Sequence, residues 1–123
     1  MKILICGDRH WANKKVMKKV MDIWVKEGDT LIHGGAKGAD NMSGLIGKDI
    51  GCNIKVFPAN WKEYGRSAGP IRNREMLREN PDIIIGFHND INKSKGTKDM
   101  LNIGKKNMID TYIVTNKLMT RYK

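Results

Sequence analysis

Apolar positions along the chain follow two rhythms, and the rhythms take turns. Short, nearly continuous apolar runs at Lys2–Cys6, Thr30–His33, Asn53–Phe57, Asp82–Phe87 and Thr111–Thr115 predict five buried strands. Between them the apolar residues recur at helical spacing. Val16, Val20 and Trp24, flanked by Met17 and Met21, predict a helix from Asn13 to Lys26, closed by Gly28. Leu45, Ile46 and Ile50 mark a second helix from about Asp40 to Ile50. Pro70 suits the first position of a third, reaching about Asn80, and a fourth spans Thr97 to Lys106. Strands alternating with helices imply right-handed crossovers and a parallel sheet covered on both faces. The expected fold is a Rossmann-like α/β domain over residues 1–115, with a five-stranded parallel sheet in the order 3-2-1-4-5. The last eight residues are polar and form a basic tail, 116–123, expected to pack weakly or fray.

With only 7% aromatic residues, such a core must rest on aliphatic side chains and the 8 Met. Two cysteines, Cys6 and Cys52, supply neither a disulfide framework nor metal-ligand spacing, and read as reduced thiols. No metal and no cofactor are implied. No apolar run reaches the roughly 18 residues of a membrane span, and the start of the chain reads as a first strand rather than a signal peptide. A cytoplasmic protein is expected, in the host cytoplasm if the chain is viral.

The charge is lopsided: 23 Lys and Arg stand against 13 Asp and Glu, a net +10. Such a field favours phosphates, polyanions or acidic partners. The basic residues are scattered, however, as Lys14-Lys15, Lys18-Lys19, Lys105-Lys106 and Arg121-Tyr122-Lys123. Most read as solvated helix faces, so charge alone makes nucleic acid the weaker partner.

More telling is where the polar and glycine residues gather. In a parallel sheet, ligands bind beyond the carboxyl ends of the strands, and the segments there are unusually rich. After strand one comes Gly7-Asp8-Arg9-His10-Trp11; after strand two, His33-Gly34-Gly35-Ala36-Lys37-Gly38-Ala39-Asp40. After strand three come Trp61, Tyr64 and Arg66, then Arg72-Asn73-Arg74; after strand four, His88 and Ser94-Lys95-Gly96-Thr97. The connections at the opposite end read as plain turns. Two glycine-bearing strand–helix junctions, each with a lysine, suit an anion held by backbone N–H groups and a helix N-terminus. Neither is a Walker loop, and no dinucleotide fingerprint follows strand one. Arg72 is expected to face the site and Arg74 the solvent. Trp11, Trp61 and Tyr64 offer rings for stacking. The expected ligand-binding set is Gly7, Asp8, Arg9, His33, Gly34, Gly35, Lys37, Gly38, Asp40, Trp61, Arg66, Arg72, Asn73, Ser94, Lys95, Gly96 and Thr97.

Four of these stretches together resemble the small stand-alone YspA-like (YAcAr-type) branch of the SLOG superfamily: His33–Asp40, Phe57–Trp61, Gly69–Leu77 and Ser94–Met100. The resemblance implies a Rossmann-like fold and a nucleotide or nucleotide-derived ligand. It extends distantly to the Lonely Guy phosphoribohydrolases, which release a base from a nucleoside monophosphate. Arg72 with Met76 looks like their Arg-x-x-x-Met, and Gly96-Thr97 like the Gly-Thr of their second motif. Their glutamate position is Met100 here, and Asp99 stands one residue early, about 100° away around a helix.

The reading that follows is a binder of a phosphorylated nucleotide derivative, of ADP-ribose type or a cyclic signal. It would sequester its ligand, as a phage immune-evasion protein does. The Lys-, Asn- and Ile-rich composition suits an AT-rich genome such as a phage's. One alternative is a hydrolase of N-glycosidic or phosphate bonds, with Asp40 or Asp99 (or Asp8) as the carboxylate. Another is single-stranded nucleic-acid binding. Gly44 and Gly47 in the second helix, the methionines of the first, and the dimers common among the relatives lead to an expected homodimer or tetramer.

Overall fold

A computed structural model describes all residues, 1–123. Strands β1 (Lys2–Gly7), β2 (Thr30–His33), β3 (Asn53–Val56), β4 (Ile83–Phe87), β5 (Asp110–Val114) and β6 (Met119–Arg121) form one sheet in the order β3-β2-β1-β4-β5-β6. The first five are parallel, as the alternation predicted. Helices α1 (Lys14–Trp24) and α2 (Ala39–Ile50) cover one face. Helices α4 (Ala68–Leu77) and α5 (Gly96–Lys106) cover the other, and a single-turn α3 (Trp61–Tyr64) lies in the β3–α4 connection.

The strand alternation builds both cores at once, because successive side chains point to opposite faces. Ile3 and Ile5 of β1, with Ile83, Ile85 and Phe87 of β4, join Met17, Met21 and Ile46 on the α1–α2 side. Leu4, Cys6, Ile32 and Ile84 join Met76, Met100 and Leu101 on the α4–α5 side. Helix α1 begins where the Asn13 side chain accepts the Val16 N–H, at 3.1 Å. It ends at Trp24, earlier than Lys26, because Val25 turns extended to bury its side chain.

Three expectations change. The sheet has a sixth strand, antiparallel to β5, with Ile113 opposite Thr120. A turn in which the Thr115 hydroxyl accepts the Lys117 and Leu118 N–H groups folds the tail back. Arg121 then reaches the Asp110 carboxylate and the Tyr112 hydroxyl, at 3.1 Å each. Second, Pro70 is the third residue of α4 rather than the first. The 3₁₀ turn Gly65–Ser67 runs straight into the helix, and Pro70 still falls in the first turn, where a missing N–H costs nothing. Third, Gly44 and Gly47 serve the chain itself. A Cβ on Gly44 would meet the His33 ring at 2.7 Å, and one on Gly47 would meet Ile54 at 3.2 Å, so these glycines let α2 lie close on β2 and β3. Met17 and Met21 are fully buried.

Candidate functional site

Strand order runs outward in both directions from β1 and β4, so the two crossovers leaving them diverge, and a crevice opens beyond their carboxyl ends. A cavity of about 430 Å³ lies there, within the range of roughly 300–1,000 Å³ usual for small-molecule sites. It is lined by Cys6, Gly7, Asp8, Arg9 and His10 from the end of β1 and its loop, and by Ala36 and Asp40 ahead of and in α2. Trp61, Gly69, Arg72, Asn73 and Met76 come from α3 and α4, and His88, Lys93, Ser94, Lys95, Gly96 and Thr97 from the segment joining β4 to α5. Four cationic side chains, Arg9, Arg72, Lys93 and Lys95, thus face two carboxylates, Asp8 and Asp40.

Of the expected residues, Gly7, Asp8, Arg9, Asp40, Trp61, Arg72, Asn73, Ser94, Lys95, Gly96 and Thr97 line this cavity. His33, Gly34, Gly35, Lys37, Gly38 and Arg66 do not. The glycine-rich loop after β2 explains most of that difference, because it already holds an anion belonging to the chain. The N–H groups of Gly34 and Ala36 donate to Asp40 Oδ2 at 3.1 and 3.2 Å. The Gly35 N–H donates to His33 Nδ1 at 3.0 Å, and the Ala39 N–H to the Asp8 carbonyl at 3.1 Å. Gly38 is required by the backbone: its φ is +74°, and a Cβ would strike the Asp8 and Arg9 carbonyl groups. Gly34 is required by its neighbour, since a Cβ there would collide with the Arg72 guanidinium. Gly35→Val would therefore strain the loop against Val56 rather than block the cavity directly.

The α5 junction is different. The Thr97 N–H donates to Ser94 Oγ at 3.0 Å, while the N–H groups of Gly96 and Lys98 make no hydrogen bond within the chain. This helix N-terminus opens into the cavity beside Lys93 and Lys95, with the partial positive charge of those unpaired N–H groups.

Arg72 and Arg74 point to different surroundings. Arg72 Nη1 donates to the carbonyls of Gly34 (2.7 Å) and Phe57 (3.4 Å), and Nε donates to Asn73 Oδ1 at 3.2 Å. Arg74 lies outside, paired with Asp99 at 3.1 Å. Asp99 does not line the cavity: its carboxylate is taken up by Arg74 and by Asn73 Nδ2, at 2.9 Å. Of the aromatic set, Trp61 stands at the rim, 60% exposed, whereas Trp11 is buried edge-on against Phe87 at 5.5 Å. Tyr64 is exposed and away from the cavity.

Burial dominates the titration of the interior groups. It pushes the Asp40 carboxyl up to about 6, against the opposing pull of the Ala36 N–H, Arg72 and the Gly34 N–H. It raises the Cys6 thiol, with the nearby Asp40 charge adding to the effect, so Cys6 is no nucleophile. Burial and then the Arg72 charge lower His33, which stays neutral.

The cavity also contains residues outside the expected ligand-binding set: Cys6, His10, Ala36, Gly69, Met76, His88 and Lys93. His88 Nδ1 accepts the Asp90 N–H at 2.9 Å, which puts the imidazole proton on Nε2, 3.9 Å from Asp8 Oδ2. Its signal was its place directly after the most apolar strand.

A family model described as YAcAr, the YspA, cpYpsA-related SLOG family, matches residues 1–64. The chain is also similar to the "Gene 61 protein" of Mycobacterium phage D29, 28% identical over 116 residues, which cover 85% of this chain and 89% of that protein. No solved structure matches the chain. No helix is long and apolar enough to cross a membrane.

Proposed function

The chain belongs to the YspA, cpYpsA-related SLOG family, and on that premise we propose that it binds a phosphorylated, nucleotide-derived small molecule in the cavity beyond β1 and β4. The observation that carries this reading is the composition of the cavity. An open helix N-terminus with Lys93 and Lys95 suits a phosphate, and Arg9 adds a third cation in the same cavity. At the rim, the exposed indole of Trp61 suits a heterocyclic base. The phosphate is assigned to the α5 junction and not to the glycine loop after β2, whose N–H groups serve Asp40.

An ADP-ribose-type or cyclic nucleotide is the ligand class we favour, held rather than converted. The phage origin of one relative suits a sequestering role in a host cytoplasm. Hydrolysis is the second reading, and Asp40 is the observation that favours it: a carboxyl in the cavity, buried enough to titrate at about 6. Asp99, another carboxylate considered for that step, is held by Arg74 and Asn73 and does not line the cavity.

Titration calorimetry with ADP-ribose and with AMP tests the binding. Saturable binding is expected, weakened about 5-fold by Lys95→Ala and by Lys93→Ala separately, as fits roughly 1 kcal/mol for one exposed charge on a phosphate. Chromatography of the ligand after incubation is expected to return it intact. Silence of both probes at millimolar concentration would end the binding reading. Steady release of base or ribose phosphate that Asp40→Asn abolishes would replace it with the hydrolytic one.

A further inference from the structure

Every buried side-chain nitrogen and oxygen in the fold has a hydrogen-bond partner. Asp40 is only 5% exposed, yet just one of its oxygens is engaged: Oδ2 accepts from Gly34 and Ala36, and Oδ1 accepts nothing. Since Oδ1 has no partner and is not sealed in, it opens to the cavity that Asp40 lines. Asp40 makes no direct ion pair, and the Arg72 charge acts on it only from across Gly34. Arg72, across Gly34, is built the same way. Its Nη1 and Nε are bound to the protein, while Nη2 has no partner, and Arg72 lines the same cavity. The cavity floor therefore shows a ligand one fixed acceptor and one fixed donor.

A bare carboxylate repels phosphate, so the anionic part of a ligand must lie elsewhere, at the α5 junction. What a carboxylate oxygen wants is a neutral O–H or N–H donor. With phosphate at α5 and base at the Trp61 rim, the part of a nucleotide left over the floor is the sugar.

We propose that Asp40 Oδ1 accepts a hydrogen bond from a ribose hydroxyl, making Asp40 the residue that selects ribonucleotide over deoxyribonucleotide ligands. This rests on the binding reading above. A site that holds an acceptor in place for a hydroxyl rejects the analogue lacking it, because the acceptor is then left buried and unpaired.

The test compares AMP with its 2′-deoxy and 3′-deoxy analogues, on the wild type and on Asp40→Asn. For the wild type, at least one deoxy analogue is expected to bind 10-fold or more weakly than AMP. In Asp40→Asn the amide oxygen must stay on the Gly34 and Ala36 N–H groups, which turns the NH₂ to the cavity. The charged acceptor is lost without leaving those donors bare, and the ratio should fall below about 3-fold. If AMP binds the wild type but both deoxy analogues bind within 2-fold of it, the inference fails while the binding reading stands. An unchanged ratio in folded Asp40→Asn also overturns it. If that variant does not fold, the wild-type ratios decide alone. If AMP and ADP-ribose both fail to bind, the two fall together.

Discussion

Asp40→Asn is expected to raise the melting temperature near pH 7.5 by about 12 °C. The carboxyl titrates at about 6 in the folded chain against 3.8 for an ordinary aspartate, chiefly because it is buried. About two pKa units at 1.36 kcal/mol each is a cost of roughly 3 kcal/mol to the folded, ionised state, and a chain of this size gains about 4 °C per kcal/mol. The sign follows from linkage. An acid whose folded pKa lies above its unfolded one favours folding when protonated; that benefit is complete below 3.8 and is lost as pH rises through about 6. The two proteins should therefore melt together near pH 4, diverge between pH 4 and 6, and keep a constant gap above about pH 6.5. Calorimetric melting of both at several pH values reads this directly, and curves that stay parallel from pH 4 to 8 would refute it. Together with the expected loss of sugar selectivity, a stability gain would mean that the fold tolerates a costly charge because the site uses it.

The parallel sheet was legible in the sequence because its signal is local. Five apolar runs separated by helical periodicity leave few alternatives, and the crevice then follows from topology. The sixth strand was not legible. Met119–Arg121 is three residues long, mostly exposed and without alternation, and it is held by a side-chain turn at Thr115 and by Arg121 on Asp110. The site was legible at the level of strand ends: the segments that flank the cavity are those the polar residues marked. What sequence could not tell was which backbone N–H groups were already occupied. Gly34-Gly35-Ala36-Lys37-Gly38 has the composition of an anion cradle and acts as one, but toward Asp40, a residue of the same chain. Trp11 and Trp61 occupy similar loops in sequence, yet Trp11 closes the core against Phe87 while Trp61 remains at the rim. Only the fold separates them.

Asn73 is where the fold and the site depend on the same side chain, and Asn73→Ala is expected to damage both. Asn73 is 3% exposed and ties the middle of α4 to the first turn of α5. Nδ2 donates to the Gly96 carbonyl at 3.2 Å and to Asp99 Oδ2 at 2.9 Å, while Oδ1 accepts from Arg72 Nε at 3.2 Å. Truncation removes three bonds, two of them to charged groups, and leaves the Asp99 and Arg72 ends of the bridge without their amide partner, a loss of about 3 kcal/mol or about 12 °C in melting temperature. Because Gly96 lines the end of the cavity proposed to take phosphate and Arg72 its floor, AMP affinity should also fall more than about 10-fold at temperatures where the variant is still folded, as fits the loss of about 1.4 kcal/mol or more of positioning. Arg74→Ala is the control. It breaks the other bond to Asp99, but the arginine side chain is 46% exposed, and a pair of that kind contributes under about 1 kcal/mol. Arg74→Ala should thus melt within a few degrees of the wild type and bind AMP normally. Equal damage from the two variants would mean that Asp99 alone joins α4 to α5; a mild Asn73→Ala with unchanged affinity would remove Asn73 from the site altogether.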